Sequence, residues 1–275
     1  MGAGPAIPTG GGPTGGGASF GGGAPPPKTF RGATAKSFLK LDWEYPVYTL
    51  PAEERSDRST AKRVRKALSR EEALAFIAGD DPRPLLVLRE CKVCNGTDDA
   101  LLKGGVENEK TFLLSSWFHC VKLPADVMEE DHPFHNLFTQ EKPEHLFVCS
   151  VDGSNHDALE SQTSRTELWD SMRKLLGKEY KAKPDSSIKK IARLLDKMDA
   201  CDGRWNELVA RRDDILEKDG PKSKKLKKIQ KELDELNSDR EELREEAVKV
   251  SERMKLKKPK VAKPEDAEEK PAAGI

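Results

Sequence analysis

Leu85-Leu86-Val87-Leu88 restricts the fold of this chain more than any other feature. Four consecutive apolar residues follow Pro84 and end just before Cys91-Lys92-Val93-Cys94. A short unbroken apolar run that ends in charge fits a strand buried on both faces, which requires helices on either side of its sheet. Upstream, Ser69-Arg70-Glu71-Glu72 fits a capping box. It opens a helix through Leu74, Phe76 and Ile77, which Gly79 and Pro82 stop. A helix followed by a buried strand fits the start of an α/β domain.

The pattern continues downstream. Asp98 to Leu102 reads as a helical start, interrupted by Gly104-Gly105, and Glu109 to Ser116 as a second helical stretch. Phe118-His119-Cys120-Val121-Lys122-Leu123 and Leu146-Phe147-Val148-Cys149 read as further strands. Asp152-Gly153 turns the chain into a weaker fourth strand. Glu167 to Leu176 is an amphipathic helix that Gly177 is expected to close.

Charged residues make up 35% of the chain, above the quarter usual for domains, and the excess lies in the last hundred residues. There Ile188, Ile191, Leu195, Met198, Trp205 and Val209 recur at steps of three and four, with Asp202 interrupting. After Asp219-Gly220-Pro221 the run resumes as Leu226, Ile229, Leu233, Leu236, Arg240, Leu243, Ala247, Val250 and Met254. The spacing predicts an antiparallel α-helical hairpin, a two-stranded coiled coil, over 185–256, with Asp202 and Arg240 setting its register. Because a two-helix seam is marginal by itself, this part is expected to bind the domain, a protein partner or a second copy as a homodimer.

Residues 1–28 are Gly/Pro-rich and residues 257–275 charged and Pro-bearing; both read as disordered tails. Between the first tail and the domain, 29–68 reads as an extended arm (Leu39, Leu41, Trp43 and Tyr45 on one parity) and a basic helix (Arg58, Lys62, Arg63, Arg65, Lys66). Lys+Arg and Asp+Glu balance at 48 each, which argues against a nucleic-acid binder driven by bulk charge. No run of 18 apolar residues exists to span a membrane, and the first residues do not read as a secretory signal. The expected compartment is the cytoplasm. An odd count of five cysteines there argues against a disulfide framework and leaves the close pair for redox or metal chemistry.

Helix, buried strand, CxxC at a helix start, strand, loop, Pro-strand-turn, final helix: over residues 69–180 this order resembles the thioredoxin-like family. The residues that carry the resemblance are Cys91 and Cys94, Pro143 in Lys142-Pro143-Glu144-His145-Leu146-Phe147-Val148-Cys149, and the Val151-Asp152-Gly153 turn. It implies a thioredoxin-like three-layer domain. It also implies a thiol–disulfide oxidoreductase acting on protein disulfides without a cofactor, with Pro143 in the cis form beside the sulfurs, where substrate docks. Chemistry points the same way. A helix N-terminus favours a thiolate, and Lys92 adds a positive charge beside Cys91. Cys91 would then attack and Cys94, one turn on, would resolve the mixed disulfide. The chain departs from the family in having Glu90 where Trp usually precedes the first cysteine; a carboxylate there raises a neighbouring thiol's pKa.

Two other readings stay open. One is a non-catalytic thioredoxin-fold scaffold that binds proteins. The other is a zinc module in which Cys91 and Cys94 join His119 and Cys120. Cys120 and Cys149 lie in apolar strands and are expected to be inert, Cys201 incidental, His132 and His135 turn residues, and Trp117, Trp169 and Trp205 core or seam residues.

Overall fold

The structure is a computed structural model and describes residues 31–49, 66–91, 101–103, 106–160 and 163–257. The first tail, residues 258–275 of the second, most of the basic helix, Gly104-Gly105, Lys92 and Cys94 therefore lie outside the described residues. Those described form a mixed α/β protein with a four-stranded sheet and six helices.

The chain enters through α1 (Ala33–Lys36) and reaches α2 (Arg70–Ala78). Both halves of the predicted capping box form: the Ser69 hydroxyl accepts from the Glu72 N–H, and the Glu72 carboxylate accepts from the Ser69 N–H. Gly79 ends α2 at φ +53°, a region that only glycine enters without strain. β1 (Leu85–Arg89) follows and is buried along its whole length, as an apolar run with helices on both sides requires.

Next come Leu101 and Leu102, helical and buried, then α3 (Glu109–Ser115), β2 (His119–Leu123), β3 (Leu146–Cys149) and β4 (Asp157–Leu159). The sheet order is β2-β1-β3-β4. β1 and β2 are parallel, while β3 runs antiparallel to both β1 and β4. At the β3–β4 turn Gly153 has φ +80°, and a Cβ there would stand 2.5 Å from Leu74 Cδ1, so a side chain would strain the backbone and displace the Leu74 methyl.

Alternation along β1 separates two cores. Leu85 and Val87 face α2 and the loop after β2, packing with Phe134, Phe138 and Phe147. Leu86 and Leu88 face α3 and α4 (Arg165–Glu179). Gly177 does not close α4 as expected. The helix runs on to Glu179, because open space surrounds Gly177 and the cost of one glycine, about 1 kcal/mol, is small beside the packing of Leu175, Leu176 and Tyr180.

Two long helices complete the chain, α5 (Pro184–Asp219) and α6 (Lys224–Glu252), of 36 and 29 residues. α5 does not break at Asp202. Its first half, through Ile191, Leu194, Leu195 and Met198, joins the same core as α4, together with Ala247, Val250 and Met254 from the end of α6. The chain after α6 returns to the end of α4, where Leu256 bridges Tyr180 in antiparallel sense. Farther out, Leu208, Ile215, Ile229 and Leu233 form a separate small cluster of their own.

The arm at 31–44 joins these parts. The Arg31 guanidinium donates to both Glu109 oxygens at 2.6 and 2.8 Å, to Asp196 at 2.5 Å and to Asp199 at 2.8 Å. Asp202 accepts from the Thr34 N–H and hydroxyl and pairs with Arg240 at 2.8 Å. Gly32 lies so close to α5 that a Cβ would meet Asp202 Oδ2 at 2.5 Å. Beyond this clamp, Glu44 makes one parallel bridge to Val121 on the β2 edge, short of a full edge strand because Pro46 follows.

Candidate functional site

β1 ends in Arg89, and its hydrogen bonding continues past that residue. The Arg89 N–H donates to the His145 carbonyl at 2.8 Å and the Glu90 N–H to the Leu123 carbonyl at 2.9 Å. Cys91 thus leaves the central strand of the sheet between the end of β2 and the approach to β3. The antiparallel register pairs Leu88 with Leu146. The last backbone bond of this pairing joins Arg89 to His145, two residues from Cys91 on one segment and two residues from Pro143 on the other.

The expected cis form of Pro143 is not found: no peptide bond among the described residues is cis. Trans is the intrinsic preference of an X–Pro bond. Here the trans loop is also held from inside, since the Arg89 guanidinium donates to the carbonyls of Pro143 (3.3 Å) and Glu144 (3.1 Å). The same guanidinium lies over the Phe138 ring, 5.7 Å from its centroid. Arg89 is 7% exposed, an unusual depth for a cation.

Cys91 is half-buried and disulfide-bonded, whereas Cys120, Cys149 and Cys201 carry free thiols. Burial pushes the thiols of Cys120 and Cys149 up to about 12, against weaker opposing pulls from Arg83 and Arg70, so both stay protonated and unreactive at neutral pH. Burial also raises the Cys201 thiol. Cys94 and Lys92, the other expected members of the site, lie outside the described residues.

The Glu90 carboxylate does not face Cys91 as an isolated negative charge. It pairs with Lys122 Nζ at 2.8 Å, across to β2. On the other side of the site, the buried Glu144 carboxylate has His156 Nε2 at 3.1 Å, and the His156 ring packs on Phe147 at 4.8 Å. Burial raises the Glu144 carboxyl, but the bond to His156 and a contact with its own backbone outweigh it and leave the group below the usual carboxylate range. A depressed carboxyl contributes stability that is present above its unfolded pKa and is lost as pH falls through its folded one. Replacing His156 by Ala is therefore expected to flatten the acid limb of the unfolding curve below about pH 4.5 and to leave its neutral region less affected. Chemical denaturation of both proteins across that range checks it.

The alternative zinc set fails on topology. His119 and Cys120 register with Leu85 and Leu86 at the start of β1, whereas Cys91 lies beyond its end. Five residues of strand, about 16 Å, separate the two places. His119 instead meets Glu44 Oε2 at 2.7 Å. Among the described residues no group of three or more His, Cys, Asp or Glu side chains is placed to hold a metal ion. His132 serves a turn: its Nδ1 accepts from the Phe134 N–H. Of the tryptophans, Trp117 is core, Trp169 donates to the Thr111 hydroxyl, and Trp205 lies under Arg240 on the helical pair.

Arg89, Glu144 and His156 were not anticipated. The one local signal for Arg89 was a cation closing an apolar run two residues before a cysteine. Compared with protein-family models, with curated proteins and with solved structures, the chain finds no match. Among the described residues no helix is long and apolar enough to cross a membrane.

Proposed function

We propose that the chain is a thioredoxin-like thiol–disulfide oxidoreductase that acts on protein disulfides through Cys91 and Cys94. The observation that carries this reading is the contrast among the cysteines. Cys91 is disulfide-bonded two residues past the end of β1, and Pro143 stands two residues before His145, whose carbonyl takes the Arg89 N–H, while the other three described cysteines are free thiols raised by burial. The element order also agrees with the family's: α2, buried β1, cysteines, β2, loop, Pro143, β3, Gly153 turn, β4 and α4.

In the proposed cycle the Cys91 thiolate attacks one sulfur of a substrate disulfide and expels the other as a thiolate. The Cys94 thiolate then attacks Cys91, releases the second substrate sulfur and leaves Cys91 and Cys94 joined. Two electrons pass to the substrate, and an external dithiol must restore the pair. The bonded Cys91 corresponds to the oxidised end of this cycle. A reducing compartment such as the cytoplasm suits a chain with three further free thiols.

In this reading α5 and α6 form an antiparallel hairpin whose outer half, around Leu208, Ile215, Ile229 and Leu233, docks a protein partner or a second copy. The trans Pro143, whose carbonyl is occupied by Arg89, favours the rival reading of a scaffold that binds without turnover. One assay separates the two. The reduced full chain is expected to accelerate reduction of a protein disulfide by a small dithiol well above the dithiol alone. No acceleration would favour the scaffold.

A further inference from the structure

We propose that the groove where the start of α5 meets the end of α6 binds a small organic phosphate. The inference concerns a face of the molecule apart from the cysteines and stands whether or not they exchange disulfides.

The groove has a volume of about 420 Å³, within the usual range for a small-molecule site. α5 lines it with Ser187, Lys189, Lys190 and Arg193, and α6 with Val250 and Arg253. Four cations therefore converge on one concavity. Among the described residues none of the four has an ion-pair partner. No carboxylate lines the groove either. Asp185 and Glu252 are the acidic neighbours in sequence, and Asp185 pairs with Arg173 at 2.7 Å instead.

Arg253 is the C-cap of α6, where a positive charge suits that helix's own dipole. Lys189, Lys190 and Arg193 have no such reason. Arg193 follows the two lysines at steps of three and four, so like charges face each other on one side of α5. They also stand just beyond a helix start whose N-cap, Lys183, supplies no side-chain acceptor. An anion in the groove would relieve both conflicts.

Ser187 gives the second, independent indication. It lines the groove and is only 6% exposed, yet its hydroxyl has no hydrogen-bond partner among the described residues. A buried hydroxyl without a partner is costly, and a bound oxyanion would accept from it. The neighbouring Ser186 hydroxyl is already used, donating to the Lys183 carbonyl. Phosphate suits this donor set because it carries close to two charges at neutral pH and several acceptor oxygens. Ala182 and the buried Val250 offer apolar contact to the rest of such a ligand. Bare phosphate would leave that surface uncovered.

The test is calorimetric titration of the full chain with phenyl phosphate at physiological ionic strength, with inorganic phosphate and benzyl alcohol alongside. Phenyl phosphate is expected to bind saturably and one to one, more tightly than inorganic phosphate, and benzyl alcohol not at all. Lys190→Gln combined with Arg193→Gln is expected to weaken phenyl phosphate by at least about tenfold, and Ser187→Ala by about fivefold. Lys227→Gln with Lys228→Gln removes the same charge from the far end of α6 and is expected to change nothing. No saturable binding overturns the proposal, as does an equal loss from the Lys227/Lys228 pair, which would make the attraction one of bulk charge. Binding to phosphatidic-acid vesicles without binding of phenyl phosphate would assign the face to a membrane and overturn it too. The rival occupant within the chain is the acidic stretch with Glu265, Asp266, Glu268 and Glu269. Phenyl phosphate binding that appears only after those four are replaced by their amides would give the groove to that stretch and contradict the proposal.

Discussion

Replacing Arg31 by Met is expected to destabilise the protein by about 3 kcal/mol, measured as the shift in the denaturant unfolding free energy. The expectation follows from what the guanidinium leaves behind. It makes a two-pronged contact with Glu109 and further bonds to Asp196 and Asp199. The Asp199 side chain is only 4% exposed and that of Glu109 12%, so neither can recover its hydration when the cation is removed. Those carboxylates hold the guanidinium pKa above its ordinary value: Glu109 acts most strongly and burial opposes it. Asp196 is largely exposed, and its bond contributes little. A second substitution separates the exposed ion pair from the buried ones. Asp196→Ala is expected to change stability by less than about 1 kcal/mol. Equal losses from the two would mean that the exposed Asp196 pair, and not the buried carboxylates, carries the effect of Arg31.

Replacing Cys91 by Ser is expected to reduce catalysed disulfide reduction by about 10³-fold, toward the rate of the dithiol alone, without changing the unfolding midpoint of the reduced protein. Serine keeps the shape of the side chain, but its hydroxyl is not ionised near neutrality and is not a nucleophile toward a disulfide. Substituting Cys120, Cys149 or Cys201 by Ala is expected to leave the rate nearly unchanged, since each is a thiol raised by burial and placed away from the Pro143 loop. Cys149→Ala has a stability cost instead, because its side chain is fully buried among Phe147, Val87 and Ala73.

Elements with short-range causes were the ones legible in the sequence. The capping box at Ser69 and Glu72, the buried run of β1 and the Gly153 turn each depend on residues within a few positions, and each formed as read. The period of Leu226, Ile229 and Leu233 likewise marked the face that α6 buries or half-buries. What could not be read depends on distant partners. Asp202 looked like a break in an apolar stripe; it is the acceptor for Thr34, 168 residues away, and for Arg240. Arg31 finds its carboxylates 78 to 168 residues away. At the candidate site the trans form of Pro143 was not legible in the sequence. Nor was the reach of Arg89 across 54 residues to the Pro143 carbonyl, a contact that exists only once β1 and β3 are in register.

Trapping is the most direct test of the claim that Cys91 exchanges disulfides with a protein substrate. A Cys94→Ser protein, reduced and then mixed with a disulfide-bonded protein, would lack the sulfur that resolves the intermediate. The account predicts a stable mixed disulfide, released by dithiol, with its protein half mapping to Cys91 by mass spectrometry. An adduct that maps only to Cys201, or no adduct at all, would contradict it.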